Sequence, residues 1–142
     1  MTRRPGDGVV VAKTVRLLAP VVLTFGLFTA LHGTSSVGGG FQGGAVVGAT
    51  LVLVAFAFGV AATRRWLRHA SLVRLAAAGV GLFAAVAVGS LVAGGAFLEP
   101  GAYPGPKAAV YAIELVELGI AATVAAVVAL LFFHLAGGDG RA

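Results

Sequence analysis

Long apolar runs alternate along the chain with short breaks that are basic, or rich in glycine and proline. The apolar runs extend from about Leu17 to Leu31, Phe41 to Thr63, Leu75 to Leu98 and Ala108 to Phe133. A helix of about 20 apolar residues covers a bilayer core, so the last three runs can each cross with some tilt. The first run is shorter, which predicts a helix starting upstream with Arg16 snorkelling to the interface. Pro20 then falls in the first turns, where a proline costs least. The expected fold class is an all-α integral membrane protein of four transmembrane helices, with residues 1–142 forming a single membrane domain.

The breaks are as informative as the runs. His32 to Gly44 reads H-G-T-S-S-V-G-G-G-F-Q-G-G and carries no Lys, Arg, Asp or Glu. Its glycines suit a chain that turns sharply and then starts a helix with bare backbone against a neighbour. Between the second and third runs lies R-R-W-L-R-H-A-S-L-V-R, where Trp66 suits the interfacial belt. Between the third and fourth lies E-P-G-A-Y-P-G-P-K, which cannot continue a helix.

Lys and Arg are divided unequally. Arg3, Arg4, Lys13, Arg16, Arg64, Arg65, Arg68, Arg74 and Arg141 fall on one side, and Lys107 alone on the other. The positive-inside rule then puts both termini and the arginine loop in the cytoplasm, with the glycine turn and the Glu99–Lys107 loop outside. A basic start before an apolar run also fits a signal peptide, with Gly33-Thr34-Ser35 as a weak cleavage pattern. Charge bias does not separate the two, because the other spans keep their orientation either way. The expectation that the first span is retained rests mainly on the family resemblance given below.

Composition supports the membrane reading: 59% of residues are hydrophobic and 11% charged, with a mean hydropathy of +1.03. No room is left for a separate soluble catalytic domain. With no cysteine, disulfides, thiolate metal sites and Cys nucleophiles are excluded. The net charge of +5 has a simpler cause in basic loops beside membrane spans than in nucleic acid, so no nucleic-acid partner is expected.

Two stripes of small residues repeat every four positions: Ala77, Gly81, Ala85, Gly89 and Ala93 in the third span, and Gly40, Gly44 and Gly48 in the second. Such stripes let helix backbones approach closely in lipid. Packing within the chain and docking against a neighbouring protein are both open. Glu114 and Glu117 share a face of the fourth span. At ~1.5 Å per residue, Glu114 is about 9 Å deep and Glu117 nearer the midplane. Intramembrane carboxyls usually face a protein interior or water. Two readings stand for this pair: an ion route that holds a proton or cation, or a structural pair that bonds to a neighbouring helix. His32, at the outward end of the first span, either caps that helix or pairs with Glu114. His69 and His134 read as interfacial.

Familiar catalytic motifs fail. The glycine run lacks the lysine and hydroxyl of a phosphate loop and has no preceding strand. Scattered histidines without cysteine make no metal site, and Ser35 and Ser36 have no base at suitable spacing. No catalytic residue, metal or cofactor is expected.

The run L-H-G-T-S-S-V-G-G-G-F-Q-G-G resembles the B subunit of Mrp-type (Mnh-type) multisubunit sodium/proton antiporters, whose turn reads approximately H-G-H-x-S-P-G-G-G-F-Q-G-G. His32, Gly33, Ser36, Gly38, Gly39, Gly40, Phe41, Gln42, Gly43 and Gly44 match it, while Val37 replaces the usual proline and Thr34 the frequent second histidine. Val116-Glu117-Leu118-Gly119-Ile120 is a weaker match to the family's F-D-[LI]-G-V run, with Glu for Asp. The resemblance implies an accessory subunit of a hetero-oligomeric complex in the cell membrane of a prokaryote. That complex exchanges sodium for protons, with the main ion machinery in two large complex-I-like subunits. It implies an interface and turn role for Gly38 to Gly44 and singles out Glu117 for the ion pathway; Glu114 and His32 are candidates for that pathway from the residue pattern alone. Two alternatives remain: the corresponding subunit of a membrane-bound hydrogenase or oxidoreductase complex, and a self-sufficient small homodimeric transporter.

Overall fold

The computed structural model describes residues 7–33 and 39–136. Among them the regular structure is entirely helical: α1 (Asp7–Ala30), α2 (Gly40–Phe58), α3 (Val60–Trp66), α4 (His69–Val92), a 3-10 turn at Pro100–Ala102, and α5 (Ala108–Ala136). α1 from Gly8 onward, α2, α4 and α5 are long and apolar enough to cross a membrane. At 1.5 Å per residue α2 spans about 28 Å, close to the ~30 Å hydrocarbon core, and α5 spans about 43 Å and must tilt or protrude.

The helix ends depart from the apolar stretches that announce them: α1 and α4 start upstream, α2 stops short of Thr63, and α4 stops at Val92, short of Leu98. α1 begins ten residues upstream of Leu17, which leaves Pro20 in the helix interior rather than in its first turns. The Arg16 carbonyl thereby loses its usual backbone donor. Arg16 itself lies over the Phe58 ring at 5.7 Å, so its charge rests on the end of α2. The second apolar run is divided at Gly59, whose φ of 97° suits glycine and ends α2 before α3 starts. The arginine connector is itself mostly helical, with only Leu67 and Arg68 between α3 and α4.

Packing follows the order α1–α2–α5–α4, a row with α2 and α5 in the middle. Glycines make each close approach. At α1–α2, a Cβ on Gly43 would meet Ala30 and the Gly26 carbonyl 2.6 Å away. At α2–α5, Gly44 abuts Ala121 and Gly48 abuts Val128 and Ala125. At α4–α5, Gly79 and Gly119 face each other, and Thr123 Oγ1 donates to Ala76 O (3.2 Å) or Gly119 O (2.9 Å).

Both ends of the row are tied down. At the arginine end, Ala55, Leu72, Ala126, Ala129 and Phe133 form an apolar cluster. Arg64 donates to the Phe133 carbonyl and lies over its ring, placing positive charge at the C-terminal end of α5. At the other end, Ser90 is fully buried; its hydroxyl donates to Ala87 O or Ala96 O, each at 2.8 Å, and accepts the Glu99 N–H. Tyr103 Oη donates to Val86 O at 2.5 Å and clasps the loop to α4.

Candidate functional site

The two edges of the glycine turn, Gly33 on one side and Gly39 with Gly40 on the other, meet α5 at Glu117. α1 ends at Ala30, and His32 finishes it: Nδ1 lies 3.0 Å from Phe28 O and the ring stacks on Phe28 at 4.0 Å. The chain re-enters at Gly39, whose φ of 139° excludes most side chains, and α2 begins at once with Gly40. Its lack of a side chain matters here, because a Cβ on Gly40 would collide with the Glu117 main-chain carbonyl.

The Glu117 side chain reaches back under the same turn. The Gly33 N–H donates to its carboxylate, and a Cβ on Gly33 would land on that carboxyl group. A Cβ on Gly39 would come within 3.2 Å of Oε1. Oε2 is buried with no hydrogen-bond partner among the described residues. A buried polar atom without a partner is costly. Glu114 lies three residues nearer the start of α5 and shares its helix face.

The structure thus brings together Glu117, Glu114, Gly33, Gly39 and Gly40. Gly43 and Gly44 are buried against α1 and α5 respectively. Phe41, 68% exposed, and Gln42 point away from Glu117 on the open side, beside Phe25, Phe28 and Thr29. Gly38, with Thr34 to Val37, lies outside the described residues. His32 is exposed at the helix end and contacts Phe28.

The sequence motif includes Gly33, but does not reveal that its main chain meets Glu117. Away from the site, Thr123 goes unmarked among the candidate residues, although a hydroxyl in a membrane span signals a helix–helix bond. The second-span stripe Gly40, Gly44 and Gly48 is consumed within the chain, against α5. The α4 stripe differs: Ala77, Gly81, Ala85 and Ala93 are exposed, while Gly89 is covered by Tyr103.

Residues 10–130 match a family model described as a domain related to the MnhB subunit of Na+/H+ antiporter. The chain belongs to that family. The B subunit of the Na(+)/H(+) antiporter of Bacillus subtilis (strain 168) is 30% identical over 98 residues, covering 69% of this chain and 68% of the relative. The matched span takes in the glycine turn, Glu117, all of α2 and α4, and most of α1 and α5.

Proposed function

We infer that this chain is the B-type subunit of a multisubunit Na+/H+ antiporter in the cell membrane. The match to the MnhB-related family over residues 10–130 carries that reading, and the antiporter relative favours it over a hydrogenase-type parent. The chain crosses the membrane four times, with both termini and the arginine corner in the cytoplasm. The other subunits of the antiporter are its partners, sodium and protons are the ions that the complex moves, and the chain has no catalytic role of its own.

Within that assembly Glu117 lines an ion route, with Glu114 beside it and the main chain of Gly33, Gly39 and Gly40 against it. The unpartnered Oε2 supports this reading, since a proton or a cation would satisfy it. The hydrogen bond from Gly33 favours a second reading, in which the carboxylate only pins the turn for assembly. Glu117→Gln separates the two, because the amide preserves shape and an acceptor but cannot ionise. Sodium-dependent proton movement in inverted membrane vesicles is expected to fall at least tenfold while the complex keeps its size on a native gel. Full exchange would remove Glu117 from the route and leave the pinning role.

The exposed small-residue stripe of α4 faces a neighbouring subunit. Gly81→Leu should leave the chain inserted but disperse the complex, since a Cβ at Gly81 meets nothing within 4 Å in this chain. An intact complex would place the neighbours elsewhere.

A further inference from the structure

The break at Gly59 ends the α2 axis, and three contacts then hold the short α3 helix down. Val60 and Leu67 rest on the apolar cluster around Ala55 and Phe133. Arg64 is tied to Phe133 through its carbonyl and ring. With that side occupied, Arg65, Trp66 and Arg68 are exposed together, Trp66 by 87%. Arg74 follows on α4, its Nε donating to Ala70 O at 3.1 Å. Glu99, Glu114 and Glu117 belong to the opposite end of α4 and α5, so they do not neutralise this corner.

We propose that the α3–α4 corner binds the headgroup of an anionic phospholipid, with Arg65 and Arg68 taking the phosphate and Trp66 lying beside it at the interface. Guanidinium forks match phosphate oxygens in pairs, which a loose positive charge does not. An indole open to its surroundings at the end of a membrane helix suits the headgroup level, where its ring is apolar and its N–H wet. Bulk charge bias asks only for basic residues; it does not require a clamped short helix presenting them around a tryptophan. A partner protein could also take arginines and an indole together, and shielding of Trp66 from lipid in the complex is the outcome that would show it. This inference does not rest on the antiporter reading.

Trp66 is the sole tryptophan of the chain, so its fluorescence reports this corner alone. The full chain is placed in phosphatidylcholine bilayers containing brominated phosphatidylcholine or brominated phosphatidylglycerol, which quench an indole on contact. Phosphatidylglycerol is expected to quench more strongly at equal mole fraction, each arginine contributing up to about fivefold in relative affinity. Arg65→Gln with Arg68→Gln should abolish the difference, while the double lysine variant, which keeps the charge, should retain part of it. Equal quenching of the unaltered chain by both lipids would overturn the proposal, as would a preference that survives the double glutamine variant. If that variant fails to insert, the two single glutamine variants carry the test, and an unchanged preference in both overturns it. In the intact membrane complex, a Trp66 shielded from both lipids would mean that protein covers the corner, and the proposal would fail.

Discussion

Removing the charge of Glu117 and removing its volume have different consequences. Glu117→Ala leaves the Gly33 N–H without its acceptor and a void under the turn. Gly33 is half-buried, so losing that hydrogen bond costs about 1 kcal/mol. Thermal unfolding of the purified chain should therefore fall for Glu117→Ala and much less for Glu117→Gln; equal losses would show that charge, not packing, holds the turn. Gly33→Ala attacks the same contact from the other side, since its Cβ lands on the carboxyl group. It should lower both thermal stability and ion exchange. Ser90 gives a comparison away from the site: Ser90→Ala removes a fully buried hydroxyl that donates to Ala87 O or Ala96 O, while the Glu99 N–H keeps the Ala96 carbonyl as an acceptor. A loss of about 1–3 kcal/mol, read by chemical denaturation, is expected.

At the level of elements, α4 offers a paired test because two of its glycines have opposite surroundings. A Cβ at Gly79 would meet Thr123 Oγ1 and the Gly119 carbonyl, whereas one at Gly81 meets open space. Gly79→Ala should therefore push α4 from α5 at a cost of about 1–3 kcal/mol, while Gly81→Ala leaves melting of the isolated chain unchanged. Matching losses would show that α4 packs by a different face. At Gly59 the constraint is torsional: a Cβ has room, but φ of 97° is strained for any residue that carries one. Gly59→Ala is expected to cost about 1–3 kcal/mol, or to join α2 and α3 into one helix, which spin-label distances across the break would detect.

For the whole molecule, topology is the property most open to a direct measurement. The chain contains no cysteine, so single cysteines can be introduced into a silent background. Gly101, with open space around its Cβ position, marks the turn end, and exposed Arg68 marks the arginine end. Gly101→Cys should react with a membrane-impermeant maleimide added to intact cells, and Arg68→Cys only after the membrane is opened. The reverse pattern would invert the protein and put its basic corner outside.

Hydropathy and turn chemistry are local, and they made the four membrane helices, their connections and the glycine turn legible before any tertiary contact was known. Lipid demands a continuous apolar run and an internally bonded backbone wherever the chain crosses, whatever lies beside it. Helix ends were less legible, because Gly59, Pro20 and the arginine connector all carry residues that a helix can either accept or refuse. Packing order decided what no local pattern contains. It brought Gly33 onto Glu117 from a distant part of the chain and used the Gly40, Gly44 and Gly48 stripe inside the molecule. The equally regular stripe at Ala77, Gly81 and Ala85 was left open, since α4 ends the row and turns Gly79 to α5. Periodicity tells which residues share a helix face, but only the arrangement of neighbours tells which faces are covered.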